Sequence, residues 1–382
     1  MKKIITVIGA RPQIIKAAAL SRAVKNKFPH QLQEIIVHTG QHYDDNMSAV
    51  FFRELGIPEP DYNLNAGSGS HGVQTAKMMV GLEEVLVKEK PNALVLYGDT
   101  NSTLAGAIVA SKMGIPVVHI EAGLRSFNKS MPEEINRIVC DHVSTLLFSP
   151  TKTGIDNLVR EGFKNGNKGP FTNDNPHIYH CGDVMYDNSI FFSELAENKK
   201  DVFHRLGCTG NDFVLVTIHR NQNTDQPEKL NSIFEALIRI CESESTTMIL
   251  PLHPRTKKCM NQFLSEQLKS KIENNPNFHI IEPASFLEMI ALEKNAVLVM
   301  TDSGGVQKEA FYFGKPCVIL RPETEWVELV ELGAAILADA DTKRIMDAFS
   351  LLMNRDLSNM PSIYGDGKAA EFIANEIVQQ IP

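Results

Sequence analysis

Three carboxylates, Asp99, Glu121 and Glu133, sit where apolar runs end or a helix begins, and a charge there is costly unless it is paired or used. Asp99 closes ALVLYGD, Glu121 closes VVHIEA, and Glu133 lies in the opening turn of MPEEINRIVCDHV. Carboxylates gathered on one edge can divide into a general acid and a general base once burial and mutual repulsion separate their pKa values. Local roles compete with that reading. Asp99 or Thr100 would N-cap the helix-like TLAGAIVASKM, and glutamates in a first turn are favoured by the helix dipole. Arg137 follows Glu133 by one helical turn, so one guanidinium and one carboxylate could reach a shared ligand. Further on, His219 stands where FVLVTI ends, with Arg220 beside it; that position makes it a candidate active-site histidine. His253, in PLHPRT, is equally well a turn residue, and His42, His71 and His119 show no evident role.

A second constellation points to an anion. VLVMTDSGGVQKEAFYFGKPCVILR reads as strand, two glycines, helix and strand. Gly304 and Gly305 let backbone approach a phosphate at a helix N-terminus. Glu309, a turn later, would repel that phosphate, but it suits a ribose, whose adjacent hydroxyls a carboxylate accepts. Phosphate and ribose side by side mean a nucleoside diphosphate. In GARPQIIKAAAL, Arg11 and Lys16 could neutralise the same diphosphate; alternatively Pro12 is a plain helix-start residue and Lys16 lies on a solvated face. This turn is neither GxGxxG nor GxxxxGK[ST], so neither a nicotinamide nor an ATP site is signalled.

The elements that must hold these residues are short β-rich runs alternating with helix-length segments. KIITVIG, EIIVHTG, ALVLYGD, PVVHIEA, TLLFSP and HIYHCGD come first; FVLVTIH, TMILPLH, FHIIEP, AVLVMTD and PCVILR follow a polar break. Such alternation calls for parallel sheets with helices on both faces, here two doubly wound α/β domains of roughly 1–184 and 185–366. The chemical residues fall at predicted strand carboxyl ends, the ligand edge of open α/β sheets, so the site is expected between two facing domains. A net charge of −8 without a polybasic run argues against a nucleic-acid partner. The six cysteines lack zinc-site or disulfide spacing, no histidines have metal-ligand spacing, and no metal or cofactor is implied. No apolar stretch approaches a membrane span and the run after Lys3 is too short for a signal peptide, so a cytoplasmic protein is expected.

Taken in order, GARPQIIK, HTGQHYDDNM, YGDTNSTLAGA, IEAGLRSF, MPEEINR, HR, LHPR, TDSGGVQKEA and GKPCVILR with TEWVE resemble the UDP-N-acetylglucosamine 2-epimerases over nearly the whole chain. The resemblance implies two Rossmann-like domains in a GT-B arrangement with the active site in the interdomain cleft. A C-terminal helix, 369–382, would pack back on domain 1–184, leaving 185–368 as the UDP-binding domain. It implies that Asp99, Glu121 and Glu133 are acid/base carboxylates and His219 the active-site histidine. Arg11, Lys16 and Arg137 would lie near the diphosphate, and Ser303, Gly304, Gly305 and Glu309 in the UDP pocket. A homodimer serving polysaccharide biosynthesis is also implied. QHYDDNM stands where regulated members carry QHREML, which argues against activation by a second UDP-GlcNAc. GARPQ, QKEAFYFGKP and TEWVELVE are closer to the branch acting on UDP-2,3-diacetamido-2,3-dideoxyglucuronate.

The expected activity is non-hydrolysing 2-epimerisation of a UDP-2-acetamido sugar, by elimination and re-addition of UDP through a 2-acetamidoglycal. A hydrolysing epimerase releasing ManNAc and UDP is one rival. A GT-B UDP-sugar glycosyltransferase is another, though it has no need of three clustered carboxylates, and a nucleotide-sugar sensor is a third.

Overall fold

Unbroken apolar runs, rather than alternating ones, mark strands covered on both faces, and here they build two parallel sheets. The computed structural model describes residues 1–40, 56, 58–196 and 213–382; QHYDDNM, with His42, and Cys208 lie outside the described residues. The chain divides into one unit of Met1–Asn188 with Ser362–Pro382 and another of Ser189–Pro361.

In the first unit, β1 (Lys2–Ile8), α1 (Arg11–Lys27), β2 (Leu32–His38), β3 (Tyr62–Asn63), α2 (His71–Glu89), β4 (Ala93–Tyr97), α3 (Asn101–Lys112), β5 (Val117–Ile120), α4 (Pro132–His142), β6 (Leu146–Ser149), α5 (Lys152–Arg160) and β7 (His177–His180) precede α6 (Val184–Ala196). The strands lie in the order β3-β2-β1-β4-β5-β6-β7, every pair parallel. Val7, Leu94, Leu96, Met78, Leu82 and Ala107 are among the fully buried residues between this sheet and its helices.

The second unit contains β8 (Phe213–Thr217), α7 (Asn221–Thr224), α8 (Pro227–Glu244), β9 (Thr247–Pro251), α9 (Pro254–Phe263), α10 (Glu266–Asn274), β10 (Phe278–Ile281), α11 (Phe286–Asn295), β11 (Leu298–Thr301), α12 (Gly304–Tyr312), β12 (Cys317–Ile319), α13 (Val327–Glu331), β13 (Ala335–Leu337) and α14 (Thr342–Leu352). Its order, β10-β9-β8-β11-β12-β13, repeats the first unit's pattern. In both, the direction of winding reverses beside the first strand, between β1 and β4 and between β8 and β11, where parallel sheets open a ligand crevice.

The last helix, α15 (Ala369–Gln380), belongs to the first unit and packs on α1. Both of its ends are tied down. The Asp187 carboxylate accepts the Ala369 and Ala370 N–H groups at 3.1 and 2.7 Å, and Lys2 Nζ donates to the Val378 carbonyl at 2.7 Å and to that of Ile381. All eleven apolar runs read as strands contain one. β3 and β13 went unread, being only 2 and 3 residues long and too short to carry a pattern.

Candidate active site

Strand register decides which residues meet. Pairing of β4 with β5 sets Tyr97 opposite Ile120, so the next residues on each, Gly98-Asp99 and Glu121, emerge side by side. Gly98 has φ +60° and donates its N–H to the Ile120 carbonyl at 3.0 Å. A Cβ there would come within 3.0 Å of Glu121 Oε2 and 3.3 Å of Lys16 Nζ, so the glycine leaves room for that pair. Glu121 itself has φ +75°, a conformation that non-glycine residues adopt at a cost and keep only when their surroundings impose it.

Two cations brace the carboxylates. Lys16, on α1, bonds to Glu121, and Arg137, on α4, bonds to Asp99 and, at 2.8 Å, to Glu134. Arg137 therefore pairs with the glutamate three residues back rather than with Glu133. Glu134 is buried and accepts the Ser126 and Phe127 N–H groups, each at 3.0 Å, which fixes the loop after β5. Glu133 is exposed, with no hydrogen bond or ion pair among the described residues, but it lies close enough to Asp99 to act on it electrostatically. Burial raises the Asp99 pKa, Glu121 and Glu133 push the same way, and Arg137 and Lys16 oppose them. Burial pulls the Lys16 ammonium down, yet Glu121 and Asp99 hold its pKa above the usual value. Thr100 is the N-cap of α3, its hydroxyl accepting the Thr103 N–H at 3.3 Å, which leaves Asp99 free of that task. Arg11 is exposed at the first position of α1.

Three residues given no role from the sequence organise this edge. Gln13 is 2% exposed; its carbonyl accepts Gly9 N–H at 2.9 Å and its amide donates to the Tyr97 carbonyl at 3.0 Å, joining the β1 and β4 ends. Asn136 donates to the Asp99 carbonyl at 2.9 Å. His119 is wholly buried in β5 and bonded through both ring nitrogens. The available signal was a titratable residue inside VVHI, which has to be paired to be tolerated. His71 opens α2 and lies 3.1 Å from the Asn101 amide.

The second unit uses the same logic. β8 pairs with β11, with Thr217 opposite Thr301, and the residues beyond are Ile218-His219 and Asp302-Ser303. Asp302 is wholly buried and accepts the N–H groups of His219 at 3.1 Å and Arg220 at 3.0 Å and the Asn223 amide at 3.1 Å. His219 Nδ1 lies 3.3 Å from the same carboxylate. Desolvation lowers the His219 pKa, Arg220 and His253 add to that, and Asp302 opposes it. His253 is the N-cap of α9, its Nδ1 accepting Arg255 N–H at 3.3 Å, a structural role.

Ser303 is the N-cap of α12 without spending its hydroxyl on the cap, and Gly304 and Gly305 are the first two helical residues. A Cβ at Gly305 would lie 3.9 Å from both Glu309 Oε2 and Ser303 Oγ, so these side chains flank one exposed helix N-terminus. The segment after β12 folds back on this turn. Trp326 Nε1 donates to the Gly304 carbonyl at 3.0 Å, Lys308 lies 4.0 Å from the Trp326 ring centroid, and Arg321 makes two bonds to Glu325 at 3.0 and 3.1 Å.

Comparison with known proteins gives the family. The family model described as UDP-N-acetylglucosamine 2-epimerase matches residues 24–378. The chain is 47% identical over 378 residues, 99% of each chain, to the UDP-2,3-diacetamido-2,3-dideoxy-D-glucuronate 2-epimerase of Pseudomonas aeruginosa. It is similar, with TM-score 0.82 and 42% identity over 99% of each chain, to the Methanocaldococcus jannaschii UDP-GlcNAc 2-epimerase solved with UDP-GlcNAc and UDP. A Phytolacca americana UGT2 complexed with UDP-2fluoro-glucose and pterostilbene shares the fold alone, at 12% identity and TM-score 0.59 over 100% of this chain and 95% of that one. With paired carboxylates at one sheet edge, a glycine-opened helix at the other and matches spanning nearly its whole length, the chain is an enzyme of the UDP-N-acetylglucosamine 2-epimerase family.

Proposed function

We propose that the substrate is a UDP-2-acetamido sugar, either UDP-GlcNAc or its 2,3-diacetamido uronate counterpart, and that its C2 centre is inverted without hydrolysis. The 47% relative and the GARPQ, QKEA and TEWVE motifs favour the uronate. One observation carries the mechanism: Asp99 and Glu121 emerge together, each held by a cation, from adjacent strand ends. The C2–H of the sugar is not acidic, since C2 bears nitrogen and no carbonyl adjoins it. As the C1–O bond weakens, positive charge at C1 makes that proton labile. A carboxylate takes the proton, the C2–H pair becomes the C1=C2 bond, and UDP leaves with the C1–O pair, giving the 2-acetamidoglycal. UDP then re-adds at C1 while C2 receives a proton on the opposite face.

Asp99, Glu121 and Glu133 supply the acid and base. Burial of Asp99, which favours its protonated form, suits it to one of the two proton transfers. Ser303, Gly304 and Gly305 receive the diphosphate and Glu309 the ribose hydroxyls, while Arg11, Lys16 and Arg137 offset the negative charge of the leaving group. His219 is the active-site histidine, its backbone N–H held by the buried Asp302 carboxylate and its Nδ1 3.3 Å from the same group.

The enzyme acts as a cytoplasmic homodimer in polysaccharide biosynthesis. Val73, Val80 and Val87, 55, 61 and 58% exposed, recur every seventh residue along α2, a stripe that a second copy would cover. Light scattering reads the oligomeric state directly. Incubation with each UDP-sugar and separation of products tests the function. A UDP-linked manno epimer is expected; free ManNAc with UDP would indicate the hydrolysing reaction, and no conversion of either sugar would overturn the reading.

A further inference from the structure

His119 is wholly buried, and both of its ring nitrogens face groups that only accept hydrogen bonds. Nε2 lies 2.8 Å from the Gly98 carbonyl oxygen and Nδ1 lies 2.6 Å from Asp141 Oδ1. A neutral imidazole has one N–H, so one contact would set lone pair against lone pair. Charge balance gives the same answer independently. Arg125 Nη1 is 2.7 Å from Asp141 Oδ2, and its Nε and Nη2 are each 2.7 Å from the Glu161 carboxylate. One guanidinium against two carboxylates leaves a negative charge, which an imidazolium cancels. Cys140 beside the ring, and His142, whose Nε2 lies 3.5 Å from Glu161 Oε2 at the outer end of the network, are the other titratable neighbours among the described residues. Burial opposes a charged ring, but Cys140 and Asp141 hold its pKa well above the ordinary value.

This network ends on the two peptides that matter. The Gly98 carbonyl precedes Asp99, and the opposite side of that glycine is held through its N–H to Ile120. Asp141 Oδ2 accepts the Gly123 N–H at 3.1 Å, and Asn157 donates to the Gly123 carbonyl at 3.0 Å. Gly123 lies two residues beyond Glu121, whose φ of +75° has to be imposed from outside. We propose that His119 is a permanently protonated positioning residue: its imidazolium, paired with Asp141, clamps the Gly98 and Gly123 peptides and so sets where the Asp99 and Glu121 carboxylates stand. It exchanges no proton with substrate. The proposal rests on the reading of Asp99 and Glu121 as acid/base carboxylates.

Two measurements test it. In full-length enzyme labelled with 15N-histidine, one slowly exchanging buried ring should keep both nitrogens protonated from about pH 6 to 9, where an ordinary histidine titrates. A buried ring that is singly protonated across that range would overturn the proposal. His119→Gln, whose amide reaches only one of the two partners, should lower kcat by ~10–100-fold with KM within ~3-fold, because geometry and not binding is lost. Rates are normalised to sites counted by UDP titration, so that a loss of folded protein does not register. A folded variant with kcat within ~3-fold of wild type would refute the positioning role. Asp141→Asn is the second variant: removing the counter-charge should leave the ring singly protonated and lower kcat similarly, and unchanged kcat would refute the role again. Wild-type turnover in Asp99→Asn would instead remove the acid/base reading while leaving the protonation result standing.

Discussion

Replacing Asp302 with asparagine should loosen the second unit and disarm His219 together. The carboxylate is fully buried and its two oxygens receive three donors, the His219 and Arg220 N–H groups and the Asn223 amide, at 3.0–3.1 Å. An amide keeps one accepting oxygen and turns its own N–H₂ toward a donor. One buried N–H is then orphaned, at about 1–3 kcal/mol, and the remaining bonds fall from charge-assisted to neutral, at about 1 kcal/mol each. The sum, about 3–5 kcal/mol, matches the usual cost of stripping one partner from a buried charged network. For a unit of this size each kcal/mol moves the melting temperature by about 2–4 °C, so a fall of roughly 10 °C is expected. Calorimetry on the full chain reads it, and steady-state turnover should drop in parallel as the His219 loop loses its anchor. An Asp302→Asn variant melting within about 2 °C of wild type would show that the loop does not hang on this carboxylate.

Three other perturbations follow from the geometry. Glu309→Ala should weaken UDP binding by ~1–3 kcal/mol in titration calorimetry if the carboxylate accepts the ribose hydroxyls; unchanged affinity rejects that role. Gly98→Ala places a Cβ 3.0 Å from Glu121 Oε2 at φ +60°. It should cost about 1–2 kcal/mol of stability and at least ~10-fold in kcat, and an active, equally stable variant would contradict the crowding. Asp187, whose pKa burial raises to about 6, gives a pH test. A carboxyl raised on folding contributes stability below its unfolded pKa of about 4 and loses it as pH rises through the folded one. The stability of wild type relative to Asp187→Asn should therefore decline between about pH 4 and 6, by on the order of 2 kcal/mol in urea unfolding; a pH-independent difference would contradict the shift.

Fold class was legible because parallel strands buried on both faces read as continuous apolar runs, and each such run contains a strand. The strand-end rule also picked out these candidates, since Asp99, Glu121, His219 and Ser303 all lie within two residues of strand ends that sheet register brings together in pairs. What stayed hidden was partner choice. Sequence spacing put Glu133 and Arg137 on one face for a shared ligand but gave no sign of Glu134, which the helix turns inward to hold Ser126 and Phe127 and to pair with Arg137. Lys16 and Arg137, expected near the diphosphate, also bond to Glu121 and Asp99, partners that spacing did not name. A histidine inside VVHI signalled that it must be paired, but not with what, because its partners, Gly98 and Asp141, are 21 and 22 residues away in sequence. Contacts of that kind arise from sheet register and helix packing, neither of which is written in local spacing.

The most direct test of the mechanism is turnover of the UDP-sugar in D₂O, followed by NMR at C2. Elimination and re-addition predict a UDP-linked manno epimer carrying deuterium at C2, formed without free sugar. Epimer formed with protium retained at C2 would mean that the C2–H bond never exchanges with solvent-equilibrated carboxylates, and would contradict the roles given to Asp99, Glu121 and Glu133.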